Sequence, residues 1–453
     1  MSHGRLFLET KVISITILIF ACLTTSILIC SNPFVVSLVS GIVFATVIGS
    51  IKTNLLYTAF LISIPFYAIT IAKLGFLDSP TNITTFIIAV CIALKILFDG
   101  DFQKKFLIKI NSKITIFAIL SILFLTIRPC FYHFSISEAI TNLSPFIYFM
   151  IPLLYISSFS DVERSFKALM VGATVAGIIT IITSFGYYVD FFEEIIRKRV
   201  LLTQERQFLI GNYGSCGLLP TRGTHGIFML CVYPYLLINY LRSKRNILLL
   251  PLIIIVLAIL FSNSRSSWAA LGISTMVLVG YRFSNFQSRR SYLTLSIFLL
   301  LAPLLAWLIL FISVALINIF PESFYSRILI DYLALKNYSI SLVGLGYRTL
   351  VPLNNRFFYI HNAFIAILLE NGILGLCAFS LLFLLILYYL AKGLKSSVEL
   401  YRIYSIILLS STLGALTELQ FYEGFSVKIL WLFIGINFGF IMLLNKGSKE
   451  RPN

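Results

Sequence analysis

The chain has 453 residues, of which 59% are hydrophobic and only 12% are charged. Soluble domains average about 25% charged residues, so this composition excludes a soluble domain and indicates a polytopic membrane protein. The formal net charge is +17. In a membrane protein such basic residues orient the chain and lie near anionic lipid, and we therefore expect no nucleic-acid binding.

Apolar runs recur along the chain and are long enough for helices that cross a hydrocarbon layer of about 30 Å. The first run, Val12 to Ile29, follows Arg5 and Lys11 and has no small-residue cleavage site after it, so we interpret it as a spanning helix. The predicted fold is all-α, a polytopic inner-membrane helical bundle of about 12–14 transmembrane helices. The placements are about 12–30, 34–51, 54–72, 82–98, 114–127, 142–159, 167–189, 225–240, 247–262, 267–281, 291–318, 361–390, 403–417 and 427–445.

An even number of spans puts both termini on one side of the membrane. Most of the 35 Lys and Arg residues fall in loops on that side, so the positive-inside rule predicts cytoplasmic termini. The two longest loops then face the periplasm, and loops of that length are usually functional or disordered. The predicted segments are N-terminal helices at 1–189, a first periplasmic loop at 190–224, central helices at 225–318, a second periplasmic loop at 319–360, and C-terminal helices at 361–453.

Arginines on the outer side run against the positive-inside bias and are therefore informative. Arg265 lies in "FSNSRSSW", where small hydroxyl residues leave room for a ligand beside the guanidinium. Arg222 and His225, in "TRGTHG", come at a predicted helix start, where exposed amides and the helix dipole favour an anion. Arg206 lies farther back in the same loop. The plainer alternative is that such arginines extend to lipid headgroups.

The second long loop ends "VGLGYRTLVPLNNRFFYIHNAF", which brings Arg348 and His361 to another helix start. The many aromatic residues of this loop predict packing at the membrane surface and argue against disorder. Guanidinium groups bind phosphate oxygens in pairs. The outer residues therefore predict a diphosphate site, and its candidate ligands are Arg265, Arg222, Arg206, Arg348 and His225.

Glu370 is an acidic residue within the predicted span that follows His361. On one continuous helix it would lie about 13 Å deeper than His361 and on the opposite side. We expect it either to pair inside the bundle or to lie at a helix break in "ENGILG", where Gly372 and Gly375 permit close packing.

Three motifs follow one another on the predicted outer side: "SRSSW" at Ser264–Trp268, "GLGY" at Gly344–Tyr347, and "HNAFIAILLENGILGL" from His361. In order and spacing they resemble the signature of the O-antigen ligase and polymerase superfamily, over roughly 260–390. The resemblance implies a glycosyltransferase that takes a glycan from an undecaprenyl diphosphate carrier at the periplasmic face of the bacterial inner membrane. Ligases pass the glycan to lipid A core, and polymerases pass it to a second carrier-linked glycan.

By position, the resemblance implies that Arg265 holds the diphosphate and that His361 assists the acceptor, so these two are the expected catalytic residues. The family often has an Arg, a Gly and then a Pro-Asn pair upstream. This chain departs from that pattern with "TRGTHG", and either Arg222 or Arg206 is the counterpart. Three helices after the second loop are similar to ligases, and a total of fourteen is similar to several polymerases. We favour a ligase, with a polymerase as the alternative.

The chemistry of such a transfer needs no metal. A departing lipid diphosphate develops negative charge that guanidinium groups stabilise, and imidazole is a general base near neutral pH. The chain shows no P-loop, and its seven cysteines lack metal-binding spacing, so no cofactor is expected. The expected partners are the carrier-linked donor, the acceptor and membrane lipids. The alternative of a different class is a polar-solute transporter or flippase.

Overall fold

The computed structural model describes residues 53–68, 80–127, 136–184, 217–219, 221–243, 245–262, 264–283, 321–345, 350–353, 356–421 and 427–449. The regular structure of these ranges is helical apart from one two-stranded hairpin, so the predicted all-α fold is confirmed. The helices are α1 Thr53–Ser63, α2 Pro80–Phe98, α3 Gly100–Ile110, α4 Lys113–Ile127, α5 Ile136–Tyr155, α6 Phe159–Ser184, α7 Arg222–Ser243, α8 Leu249–Phe261, α9 Arg265–Phe283, α10 Pro321–Asn337, α11 Ala363–Leu394, α12 Glu399–Leu419 and α13 Lys428–Lys449. Short 3-10 helices lie at Ile64–Ala68 and Asn246–Leu248, and the strands are β1 Leu350–Leu353 and β2 Arg356–Tyr359.

Six of the described helices are long and apolar enough to cross a membrane, or seven if the bent pair α3 and α4 forms one span. The six lie within α2, α6, α7, α11, α12 and α13. The chain is therefore a multi-pass membrane protein. The helices predicted at about 82–98, 361–390, 403–417 and 427–445 agree with these elements. The helices predicted at 12–30, 34–51 and 291–318 lie outside the described residues.

Contacts within the chain divide it into two units, residues 1–116 and 117–453. In the first unit α1 packs against α2. Asp99 caps α3, since its carboxylate accepts hydrogen bonds from the amides of Asp101 at 3.1 Å and Phe102 at 3.0 Å. Asp99 and Asp101 have the spacing of a metal-binding DxD motif, but the capping geometry explains Asp99 as a helix start.

In the second unit α12 packs against α7, α9 and α11. Beside these four helices α13 packs along α5, where the rings of Phe149 and Phe438 meet edge to face with centroids 5.7 Å apart. A Cβ added at Gly435 would overlap the carbonyl group of Phe149. The two backbones therefore approach more closely than any side chain at position 435 would permit.

Helices α7 and α9 run antiparallel to α12, so the termini of these helices gather at two ends of the unit. The exposed ion pair between Arg242, near the end of α7, and Glu399, at the start of α12, has a length of 2.8 Å and marks the end that we call the opposite end. The starts of α7 and α9 and the last residues of α12 lie together at the other end. We call this second end the arginine end, because Arg222 and Arg265 are the first residues of α7 and α9.

The second long loop contains α10 and the β1–β2 hairpin. The strands are antiparallel, with Leu350 opposite Tyr359. The hydrophobic core of this loop also includes residues from the start of α11. The buried residues of the core are Ile330, Ala334, Val351, Ile360, Ala366 and Leu369. Tyr338 packs against this core, as expected for a packed loop, whereas Tyr332 is 57% exposed.

Helix α11 is broken at Gly372, whose φ of 72° and ψ of −170° are not helical. The break falls within "ENGILG", two residues after Glu370, so the helix break expected there is confirmed. An unbroken α11 would be about 48 Å long, which exceeds the hydrocarbon thickness of about 30 Å. The part after the break, Ile373–Leu394, is about 33 Å long and suffices for one span. The part before it, Ala363–Asn371, which we call the half-helix, belongs with the packed loop.

The close approach of α5 and α13 generates a stability prediction. Gly435→Ala is expected to lower the melting temperature in detergent by several degrees, because overpacking against fixed backbone costs about 1–3 kcal/mol. Gly414→Ala is the matched control, since its Cβ would lie 3.5 Å from the nearest atom, the carbonyl oxygen of Ala270. Equal melting temperatures for the two variants would contradict the packing described here.

Candidate functional site

Short polar side chains join α7, α9 and α12 inside the bundle. Ser274 and Ser410 share a hydrogen bond of 2.7 Å between α9 and α12. Tyr233 and Thr275 share one of 2.8 Å between α7 and α9. Lipid offers no hydrophobic force between helices, so such bonds and close packing hold a membrane bundle together. They hold the three helices in register up to the arginine end.

A capping threonine, Thr221, sets the start of α7. The Thr221 hydroxyl accepts a hydrogen bond from the amide of Thr224 at 3.1 Å, as an N-cap residue does. Arg222 is therefore the first residue of the helix, and its side chain is partly buried. The helix start presents the positive end of its dipole beside this guanidinium, an arrangement that favours an anion.

Arg265 begins α9 in the same way, and its side chain is also partly buried. The hydroxyls of Ser264 and Ser266 lie 3.0 Å apart and are buried. Trp268, one turn later, donates its indole N–H to the carbonyl of Ile259 at 3.1 Å, which ties the start of α9 to the end of α8. The predicted hairpin around Arg265 is therefore a firmly held helix start.

Gly226 brings these two helix starts together. A Cβ at Gly226 would lie 3.0 Å from the Cβ of Ser267 and 3.3 Å from the carboxyl carbon of Glu418. Gly226 is one turn after Arg222, and Ser267 is two residues after Arg265. The absence of a side chain at Gly226 thus allows α7, α9 and α12 to meet next to both arginines.

Glu418 is a site residue that the sequence analysis did not identify. It has no exposed surface, and its Oε1 accepts a hydrogen bond from the hydroxyl of Ser266 at 2.8 Å. The starts of α7 and α9 favour a negative charge nearby, whereas the end of α12, where Glu418 itself lies, disfavours one. A single acidic residue at the end of an apolar run was the available signal, because such residues are costly in a membrane and are commonly functional.

His225 lies one turn inside the bundle and has no exposed surface. Its Nε2 is 3.0 Å from the hydroxyl of Thr180, and this hydroxyl lies 2.9 Å from the carbonyl of Ala176, to which it donates. The Thr180 hydroxyl thus links the imidazole of His225 to the backbone of α6. Binding of a diphosphate by His225 would require this packing between α6 and α7 to open, so in the observed arrangement the residue joins two helices.

His361 precedes the cap of α11. Asn362 is the N-cap, and its side-chain oxygen accepts hydrogen bonds from the amides of Phe364 at 2.9 Å and Ile365 at 3.2 Å. The spanning part of α11 runs antiparallel to α12, because Gly393 near its end lies against Ser405 near the start of α12. The spanning part of α11 therefore begins at the arginine end, and His361 precedes it in the chain by the length of the half-helix. Its side chain is partly exposed.

The structure thus brings together the helix starts of Arg222 and Arg265 and adds Glu418, while His361 lies before the half-helix of α11. The predicted ligands Arg206 and Arg348 lie outside the described residues. Within the described ranges no three His, Cys, Asp or Glu side chains form a group that could hold a metal ion. The arrangement provides two guanidinium groups and two helix starts, which is chemistry suited to an anion with several phosphate oxygens.

The burial of Glu418 generates a second prediction. Glu418→Gln is expected to destabilise the protein by about 1–3 kcal/mol, because the variant replaces one buried carboxylate oxygen with an amide group that needs a new hydrogen-bond partner. Glu399→Gln changes the same residue type at the other end of α12, where the exposed ion pair with Arg242 contributes at most about 1 kcal/mol. Thermal unfolding of both variants in detergent measures the difference. A Glu418→Gln protein as stable as wild type would show that no charge is needed there.

A scan against models of known protein families found no match to this chain. A search of curated proteins likewise found no similar protein.

Proposed function

We propose that this protein is a glycosyltransferase that moves a glycan from undecaprenyl diphosphate to lipid A core, an O-antigen ligase. The observation that carries the proposal is the meeting of two arginine-bearing helix starts, Arg222 and Arg265, around Gly226 at one end of the bundle. The resemblance of "SRSSW", "GLGY" and "HNAFIAILLENGILGL" to the ligase and polymerase superfamily supplies the nature of donor and acceptor.

The arginine end fits the diphosphate of a lipid carrier. Neighbouring helices pack with axes about 8–10 Å apart, a separation that two arginine side chains can bridge to one diphosphate. The carrier chain would remain in the bilayer beside α7 and α9 while its diphosphate lies at the helix starts. Glu418, bonded to Ser266, would hold the start of α9 and so keep Arg265 in place.

In the proposed transfer an acceptor hydroxyl attacks the anomeric carbon of the glycan. The new bond joins that carbon to the acceptor oxygen, and the bond between the carbon and the diphosphate oxygen breaks. His361 takes the proton of the attacking hydroxyl. Arg222 and Arg265 stabilise the negative charge that develops on the departing diphosphate. The residues therefore divide into a donor side on the bundle and an acceptor side at the start of α11.

The proposed location is the bacterial inner membrane, with both termini in the cytoplasm and the arginine end facing the periplasm. The distribution of Lys and Arg among the loops supports this orientation. Undecaprenyl-linked glycans and lipid A core would then meet at the face where the arginine end opens.

Transport of a polar solute is less well supported by the interior of the bundle. A transport pathway needs polar groups that line a route near the membrane midplane. Among the described residues, Ser274 bonds to Ser410 between α9 and α12, and Tyr233 bonds to Thr275 between α7 and α9. Both bonds lie in contacts between helices, where they satisfy polar groups without lining a route.

The third prediction concerns the two expected catalytic residues. Arg265→Ala and His361→Ala are each expected to lower glycan transfer at least a hundredfold at normal abundance, and Arg265→Lys nearly as much, because an ammonium group cannot bind phosphate oxygens in pairs. Transfer is measured with purified protein and carrier-linked glycan. Arg242→Ala, which removes an exposed arginine at the opposite end, should transfer at the wild-type rate. Normal transfer by Arg265→Ala would exclude the proposed donor site.

The fourth prediction distinguishes the candidate functions. The purified protein in detergent receives an undecaprenyl diphosphate glycan together with lipid A core or a second carrier-linked glycan, with and without a chelator. Glycan on lipid A core in the presence of chelator is the expected result. Longer carrier-linked glycan would identify a polymerase. Absence of transfer, combined with movement of the donor across liposomes, would identify a flippase.

A further inference from the structure

A short stretch of the second loop, Ser341–Leu345, occupies the break in α11, and we call it the strap. Ile373 and Leu374 follow the break, so their amides have no partners in the preceding helical turn. The amide of Ile373 donates to the carbonyl of Ser341 at 3.1 Å, and the amide of Leu374 donates to the carbonyl of Leu342 at 3.1 Å. The strap thus completes the start of the spanning helix.

The strap also binds the other side of the break. The amide of Leu345 donates to the carbonyl of Leu369, in the last turn of the half-helix, at 2.8 Å. Within the strap, the amide of Gly344 donates to the hydroxyl of Ser341 at 2.7 Å and stabilises the turn. One segment of five residues therefore replaces helical hydrogen bonds on both sides of Gly372. Such replacement is needed because unpaired backbone groups are costly near lipid.

Two glycines make this arrangement possible. Gly344 and Gly372 have φ values of 73° and 72°, a region that residues with a Cβ rarely adopt. A Cβ at Gly344 would overlap the backbone of Gly372 and would lie 2.6 Å from the amide nitrogen of Asn371. A Cβ at Gly372 would overlap the backbone of Gly344 and Leu342. The two glycines therefore lock the strap against the break, backbone to backbone.

The lock lies between two groups of packed elements within the second unit. One is a cap that consists of α10, the β1–β2 hairpin and the half-helix, which share the hydrophobic core around Ile330, Val351 and Leu369. The other is the bundle, to which the spanning part of α11 belongs through its packing against α12. His361 lies at the start of the half-helix on the cap, whereas Arg222 and Arg265 lie on the bundle.

We propose that Gly344 and Gly372 are positioning residues, whose backbone lock fixes the cap, and with it His361, relative to the spanning part of α11. This inference rests on the proposed function, in which His361 serves the acceptor and the arginines hold the donor. Transfer requires both groups to meet one anomeric carbon, and a misplacement of about 1 Å is able to lower a rate on the order of a hundredfold. At the break in α11, the lock joins the cap to the bundle through direct contacts between backbone atoms.

Alanine at either glycine tests the proposal. In Gly344→Ala and Gly372→Ala we expect the kcat of glycan transfer to fall by about tenfold to a hundredfold. The KM for the carrier-linked donor should stay within about twofold of wild type, because the helix starts of Arg222 and Arg265 do not depend on the strap. Gly414→Ala is the matched control and should match wild type in both constants. An unchanged kcat, or a KM that rises with the loss of kcat, would overturn the proposal.

A milder variant covers the case in which alanine at the glycines prevents folding. Ser341→Ala removes the hydroxyl that accepts from the amide of Gly344 but introduces no steric overlap. It should insert at normal abundance and lower kcat several-fold at constant donor KM. Wild-type kinetics for Ser341→Ala, together with loss of the glycine variants from the membrane, would show that the strap is needed only for folding.

A distance measurement tests the lock independently of chemistry. In a variant without native cysteines, spin labels are placed at Tyr332 on the cap and Leu400 on the bundle, which are 57% and 47% exposed. We expect one narrow distance distribution, broadened by Ser341→Ala and Gly372→Ala but not by Gly414→Ala. Unbroadened distributions would overturn the positioning role. Broadening in a protein that transfers no glycan even as wild type would support the lock and refute the proposed function.

Discussion

The contact at Gly226 is the interaction on which the arginine end depends. Association of helices in a membrane relies on close packing and hydrogen bonds, because lipid is as apolar as the side chains. With no side chain at Gly226, Ser267 and Glu418 approach α7 directly, and the hydrogen bond from Ser266 to Glu418 then joins α9 to α12. A methyl group at this one position would separate the helices that place Arg222 and Arg265 side by side.

The same physical constraint, that backbone polar groups near lipid need partners, explains the break in α11. A helix interrupted at Gly372 would leave amides and carbonyls unpaired, and the strap supplies those partners from a segment about thirty residues earlier in the chain. The proposed donor residues therefore lie on the bundle, and the proposed acceptor residue His361 lies on a cap. The proposed site would thus be shared by the bundle and the cap, which the strap joins at the break in α11.

The sequence predicted what depends on local pattern and missed what depends on distant pairing. Apolar run length placed the long helices, and the glycines of "ENGILG" predicted the break at Gly372. Glu418 was missed because its partner, Ser266, is remote in sequence, and no local pattern connects them. The burial of His225 was also missed, since a histidine at a predicted helix start has the same local pattern whether or not α6 covers it. The strap was missed because its contacts are backbone hydrogen bonds, which nearly any residue type is able to make.

The burial of Glu418 has a consequence for biogenesis. Helices α7 and α9 are synthesised and inserted well before α12 leaves the ribosome. Until then the buried serines at the start of α9 lack the carboxylate that accepts from Ser266 in the finished protein. The nascent chain must therefore keep this polar end hydrated or shielded during translation. The starts of α7 and α9 therefore acquire the arrangement seen in the structure only after α12 has been inserted.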